Sequence, residues 1–172
     1  MTDAAHLRPK IIGTSVRRTE DARLLAGRGS FVDDRQLPQA LHVAFLRSDH
    51  AHARILSIDT GQARAAPGVA AVFTAQDLDG LFKPLTATSR MAGYYATPLL
   101  PLARDKVRYV GEPVAAVLAD NRYLAEDAVE LLRLDVETLP AATDPEDAVR
   151  PGAPLLHEAA GTNVLVTHDA GD

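Results

Sequence analysis

The stretch from Val114 to Ala119 (VAAVLA) constrains the fold more than any other part of the sequence. It is an unbroken apolar run that directly follows the turn-forming tripeptide Gly111-Glu112-Pro113. An apolar run of this length bounded by a turn is typical of a strand that is buried on both faces. We therefore predict a β-strand here, with other parts of the domain covering both of its sides.

Shorter segments with strand character and short helices alternate irregularly along the rest of the chain. Asn121 is a plausible cap for an amphipathic helix over 123–132, and Asp144-Pro145 is a strong helix start. Asp59 or Thr60 can cap a short helix that ends at Pro67-Gly68, and Thr74 to Asp77 can cap another helical turn. The further predicted strands are 41–46, 54–58, 69–73, 107–110 and 133–136. This order predicts an α+β fold with a mixed, mostly antiparallel sheet.

The domain organisation follows from where these elements begin and end. Residues 1–10 are polar and are expected to form a flexible N-terminal arm. Residues 11–166 are expected to form one domain, and residues 167–172 a C-terminal tail. Within the domain, residues 11–34 are expected to be an extended segment anchored by Leu24-Leu25 and Phe31-Val32.

Charge and composition narrow the range of partners. The formal net charge of −5 argues against a nucleic-acid partner and against an anionic membrane surface, because both require a basic footprint. The absence of cysteine excludes disulfides, thiolate catalysis and iron–sulfur ligation by this chain. No apolar run approaches the ~20 residues that span a bilayer, and the N-terminus lacks the apolar stretch of a secretory signal. We expect a cytoplasmic protein.

The best metal-binding candidate is His50-Ala51-His52. Residues two apart on a strand share a face, so the two imidazoles could converge on one ion, with Asp49 or His42 assisting. The alternative, which we favour, is a polar turn between two strands in which a histidine binds the backbone.

Other catalytic arrangements have weaker support. None of the serines lies in a nucleophile elbow, although Ser48 is close to His50 in sequence. Gly27-Arg28-Gly29 lacks the third glycine of a dinucleotide loop and is better explained as a tight turn. Glu112 could be an acid or base if half-buried, but it would more commonly bind backbone amides or an arginine.

The region from Asp79 to Asp105 has no regular period and contains several prolines. A long unpatterned stretch inside a domain is unusual and is commonly functional or packed on a partner. Aromatic residues and methionine are favoured at interfaces. The candidate partner-interface residues are Phe82, Met91, Tyr94 and Tyr95.

Several segments, taken in order, resemble the first part of the large subunit of molybdenum hydroxylases, the xanthine dehydrogenase, aldehyde oxidase and carbon monoxide dehydrogenase family. The resemblance covers about Ile11 to Val166, and Asp49 departs from it by standing where the family commonly has proline. The segments are 12–21 (IGTSVRRTED), 23–34 (RLLAGRGSFVDD), 46–55 (LRSDHAHARI), 67–74 (PGVAAVFT), 106–115 (KVRYVGEPVA), 139–141 (LPA) and 144–149.

The resemblance implies an α/β-hammerhead fold and a parent enzyme that hydroxylates its substrate at a molybdenum–pterin cofactor. It places the cofactor-binding loops and the catalytic glutamate in larger domains, so no catalytic, cofactor-binding or metal-binding residue is carried onto this chain. The implied partners are the molybdopterin-binding domains and, indirectly, iron–sulfur and flavin subunits. We expect a non-catalytic scaffold domain that helps shape the substrate funnel.

Two other functions stay open from the sequence. The chain could be a stand-alone binding or adaptor module that reuses the fold. It could also be a small metal-binding protein that depends on the histidines around His50.

Overall fold

The structure is a computed structural model that describes residues 12–35 and 37–168. The chain divides into two units, residues 1–38 and residues 39–172, so the division falls inside the segment expected to be one domain. The expected N-terminal arm lies outside the described residues. Most of the expected C-terminal tail lies outside them as well.

The first unit contains a short helix that the sequence did not predict. Helix α1 covers Asp21–Leu25, and Gly27 follows it with a φ of +68°, which fits the tight turn expected there. A 3₁₀ turn covers Val32–Asp34, where the Asp34 carboxylate accepts a hydrogen bond from the Phe31 amide at 2.9 Å. None of the described residues of this unit is buried within it. The expected anchors Leu25 and Val32 are 87% and 89% exposed.

The second unit is built around a three-stranded antiparallel sheet with the order β1-β7-β3. Strand β7 is the predicted buried strand, and it pairs with β1 on one side and β3 on the other, so that Val117 faces both Ala44 and Val72. The three strands are β1 (His42–Arg47), β3 (Val69–Thr74) and β7 (Pro113–Ala119).

Two helices cover one face of this sheet. Helix α2 (Gly61–Ala65) and helix α3 (Arg122–Glu130) pack their alanines against the β7 side chains. Asn121 caps α3 as predicted, since its side-chain oxygen accepts a hydrogen bond from the Leu124 amide. The apolar cluster between helices and sheet contains the buried residues Ala63, Val72, Ala115, Val117, Ala128 and Leu132.

A second antiparallel sheet has the order β6-β2-β8. Its core contains Ala53 of β2 and Val107 of β6, together with Val114 from β7 of the first sheet. Strand β6 is shorter than predicted, because the chain leaves the ladder after Val107. The strands are β2 (Ala53–Asp59), β6 (Lys106–Val107) and β8 (Arg133–Thr138).

The long unpatterned region is mostly loop, as predicted, with one two-stranded ladder formed by β4 (Leu85–Thr86) and β5 (Pro98–Leu99). Leu102 of this region is buried with Ala116 of β7 in a third apolar cluster, against which Leu78 also packs. The helical turn predicted after Thr74 forms only turns, although the Asp77 carboxylate does accept hydrogen bonds from the amide and hydroxyl of Thr74.

The C-terminal part contains helix α4 (Pro145–Ala148), which Asp144 caps as predicted, and a 3₁₀ turn at Glu158–Ala160. Antiparallel sheets with few short helices agree with the predicted α+β class and with an α/β-hammerhead domain. Within the described residues, no helix is long and apolar enough to cross a membrane.

The turn at Gly68 gives a direct test of this packing. Gly68 has a φ of +74°, and a Cβ there would lie 2.5 Å from Leu124 Cδ1, whereas Gly80 has a φ of +75° and open space around it. We expect Gly80→Ala to lower the free energy of unfolding by about 1 kcal/mol through backbone strain alone. Gly68→Ala should cost at least about 1 kcal/mol more, because Leu124 must move out of its place.

Urea unfolding of the two variants, measured side by side with the wild-type chain, checks this expectation. Equal losses of stability would mean that α3 does not pack against the turn at Gly68.

Candidate functional site

The His-Ala-His segment forms a polar turn between β1 and β2. The Ser48 hydroxyl lies 3.0 Å from the amide nitrogen of His50 and 3.1 Å from its carbonyl oxygen. Ser48 therefore binds the backbone rather than an imidazole, and it is not placed as an activated nucleophile. The half-buried His50 ring lies beside the exposed carboxylate of Asp49, 3.3 Å away.

His52 is buried and binds the backbone of a distant segment. Its Nδ1 lies 2.6 Å from the carbonyl oxygen of Pro140, and the Leu139 amide donates to the His52 carbonyl oxygen. Because a carbonyl oxygen only accepts, Nδ1 carries the proton and donates it. Nε2 is buried with no hydrogen-bond partner in the structure. This is the backbone-binding histidine weighed against a metal site in the sequence.

The donors required for a metal site do not converge in the part of the chain that the structure describes. Residues 12–35 and 37–168 contain no group of three or more histidine or acidic side chains placed to hold an ion. Glu112 also has a structural position, since its Oε2 accepts a hydrogen bond from the Arg108 amide at 2.5 Å. The backbone-amide alternative expected for Glu112 is therefore what the structure contains.

Hydrogen bonds join the turn at Gly111-Glu112 to the end of β1. Ser48 donates its amide hydrogen to the Glu112 carbonyl oxygen, and Gly111 donates its own to the Ser48 carbonyl oxygen. The Arg47 guanidinium adds a bond to the Gly111 carbonyl oxygen at 2.9 Å. Two of the segments that carry the family resemblance are therefore joined directly through their backbones.

The four candidate interface residues lie on the long loop and differ in exposure. Phe82 is 61% exposed, Met91 39% and Tyr95 36%, whereas Tyr94 is half-buried. The loop is tied near its ends and its middle. The Asp79 carboxylate pairs with the Arg104 guanidinium, and the Tyr95 amide donates to the Leu165 carbonyl oxygen at 2.8 Å. We call Phe82, Met91, Tyr94 and Tyr95 the loop surface.

The structure reveals a second apolar surface that the sequence analysis did not single out. Val43 and Phe45 of β1, and Leu41 just before it, alternate with Leu46, which packs against the cluster beneath the helices; they are 53%, 40% and 46% exposed. The Arg47 guanidinium stacks over the Phe45 ring, 5.5 Å from its centre. The sequence did indicate this surface, because the residues that face either side of β1 are largely apolar. We call Leu41, Val43 and Phe45 the β1 strip.

Two basic side chains of the β6 region, Lys106 and Arg108, bind the segment that contains Leu156 and Glu158. Buried Lys106 binds the Glu158 carboxylate at 2.5 Å, and Arg108 Nε donates to the Leu156 carbonyl oxygen at 2.9 Å. Burial lowers the pKa of His157 from its ordinary value, and the charges of Arg108 and Lys106 lower it further against a weaker opposing effect of Glu158. The hydrogen bond from Lys106 lowers the pKa of Glu158.

The antiparallel sheets with few short helices fit an α/β-hammerhead domain, and comparison with known proteins agrees. The family described as aldehyde oxidase and xanthine dehydrogenase, a/b hammerhead domain, matches residues 26–140. The carbon monoxide dehydrogenase large chain of Afipia carboxidovorans is 44% identical over 162 residues, which is 92% of this chain and 19% of that protein.

Solved structures give the same result. Quinoline 2-oxidoreductase from Pseudomonas putida 86 matches with a TM-score of 0.84 and 44% identity over 92% of this chain and 20% of the other. A Cu,Mo carbon monoxide dehydrogenase matches with a TM-score of 0.75 and 43% identity, over 92% of this chain and 19% of the other.

This chain therefore belongs to the hammerhead-domain family of the aldehyde oxidases and xanthine dehydrogenases, and the resemblance to molybdenum hydroxylases is confirmed. It spans about a fifth of the length of the relatives it matches.

The lowered pKa of His157 predicts how stability depends on pH. The folded chain favours the neutral imidazole, so the unfolded chain binds more protons once the pH falls below about 6.5, the ordinary pKa of histidine. The stabilising contribution is therefore fully present above that pH and is lost as the pH falls below it. The shifts of Glu158 and Asp77 act below their ordinary values of 4.5 and 3.8, outside this window.

We expect the free energy of unfolding to fall between pH 7.5 and pH 5.5, and His157→Gln to flatten that fall. Replacement of exposed His42 by glutamine is the matched control and should leave the slope unchanged. Denaturant unfolding at several pH values measures both, and an unaltered slope in His157→Gln would contradict the assignment.

Proposed function

We propose that this chain is the scaffold part of the large subunit of a molybdenum hydroxylase, without catalytic residues of its own. Its role is to pack against the domains that bind the molybdenum–pterin cofactor and to help shape the path of the substrate. The proposal is supported by the family membership and by relatives about five times longer than the matched segment.

The observation that supports the proposal best is that large apolar side chains are exposed on segments that hydrogen bonds or ion pairs hold in place. Phe82 and Tyr95 are exposed on a loop held by the Asp79–Arg104 ion pair and by the Leu165 carbonyl oxygen. Exposed apolar groups rimmed by polar residues mark interaction sites more than they mark free surface. The loop surface and the β1 strip are the two places where we expect the cofactor-binding domains to contact this chain.

We infer that this chain does not hold the cofactor itself. The chain has no cysteine, and its described histidines and carboxylates do not converge on one point. We therefore assign the redox chemistry to the rest of the proposed large subunit and derive no step of it from this chain. The iron–sulfur and flavin subunits would be indirect partners. The cytoplasmic location expected from the sequence stays a prediction.

Replacement of both Tyr94 and Tyr95 by alanine tests the loop surface. We expect affinity for the polypeptide that carries the molybdenum-binding domains to fall about ten-fold or more, because buried tyrosines are among the residues that dominate interface energy. Co-purification and titration of the two polypeptides, with unfolding of the isolated variant, give the measurement.

Tyr123→Ala is the matched control, since Tyr123 is 77% exposed on α3, outside both proposed surfaces. It should bind as the wild type does. Unchanged binding by the Tyr94, Tyr95 double variant would overturn the loop surface as the contact.

A further inference from the structure

A cavity of about 170 Å³ lies beside the turn that follows β6 and is independent of the two surfaces proposed above. One wall is apolar and comes from Pro98, Leu99 and Leu100 at the end of the long loop. Arg108 and His157 line the cavity with polar groups. A cavity with an apolar wall and a few fixed polar groups is the usual form of a small-molecule site.

Arg108 is the most distinctive group in the cavity lining. Its Nε donates to the Leu156 carbonyl oxygen at 2.9 Å and its Nη1 to the Lys106 carbonyl oxygen at 3.3 Å, so the guanidinium is held in one orientation. Among the described residues no carboxylate lies within ion-pair distance of this side chain, although its charge helps to lower the pKa of Glu158, whose carboxylate binds Lys106. A guanidinium carries five N–H donors, so three of them are left for another acceptor. A fixed guanidinium that keeps free donors matches the planar, bidentate geometry of a carboxylate or phosphate group.

The neighbouring charges decide between these two anions. Arg104 also lines the cavity, but its charge is already paired with Asp79. Glu112 and Asp105 contribute two carboxylates to the lining. These would repel a phosphate dianion more strongly than a single carboxylate, because the repulsion scales with the charge of the ligand. Burial and nearby cations lower the pKa of His157, so its neutral ring can donate one further hydrogen bond near pH 7.

We propose that this cavity binds a small monocarboxylate, whose carboxylate is held by Arg108 and whose apolar body lies against Leu99 and Leu100. The site does not depend on the scaffold role, and either can hold without the other.

The test is a titration of the 172-residue chain with sodium benzoate at constant ionic strength, in which binding is monitored by NMR. We expect saturable shifts of the Tyr109, Gly111 and His157 signals, and no saturable shifts with phosphate or chloride. Arg108→Lys should weaken binding about ten-fold or more, because an ammonium group cannot reproduce the bidentate contact.

A second pair of variants keeps the test decisive if Arg108→Lys also loosens the segment at Leu156. Leu99 lies in the apolar wall and is 49% exposed. Leu99→Glu places a competing carboxylate in the cavity and should abolish binding, whereas the uncharged Leu99→Gln should retain it within about three-fold. Saturable binding of phosphate equal to that of benzoate, absence of benzoate binding, or wild-type binding by Leu99→Glu would each overturn the proposal.

Discussion

The packing of strand β7 is the interaction on which the rest of the structure depends. Its residues contribute to all three apolar clusters: Ala115 and Val117 face the helices, Val114 enters the second sheet, and Ala116 meets the long loop. Valine and alanine side chains are enough to fill the core around β7, because the second sheet, the helices and the loop approach this strand closely. A strand that is buried on both faces requires other elements to pack on each of its sides, as they do in a layered domain.

The same arrangement explains why apolar surface is left over. Because β7 occupies the centre of its sheet, β1 and β3 are the edges. Within the described part of the second unit, the helices pack on the face of β1 opposite to Val43 and Phe45, which stay exposed. The loop that packs on Ala116 of β7 is long, and it carries the exposed side chains of Phe82 and Tyr95. The two proposed contact surfaces are therefore consequences of how the core is built, which fits a domain made to pack against a larger body.

Much of the fold could be predicted because local signals and tertiary packing agree. The buried strand, the Asn121 and Asp144 caps and the turn at Gly68 were all predicted from the sequence, since each depends on a residue type with one strong structural use. Helix α1 and the two-residue strands β4 and β5 were missed, because five-residue and two-residue elements carry too few residues to show a period. Nothing in the sequence showed that Arg108 would bind the carbonyl oxygen of Leu156, 48 positions away.

The scaffold role is tested most directly by affinity capture of the tagged chain from the cells that produce it, with metal analysis and mass spectrometry of the captured material. The account predicts molybdenum and iron in that material, together with polypeptide sequence of the larger cofactor-binding domains. A monomer that carries no molybdenum and no such sequence, captured under conditions that preserve known hydroxylases of this family, would contradict the scaffold role.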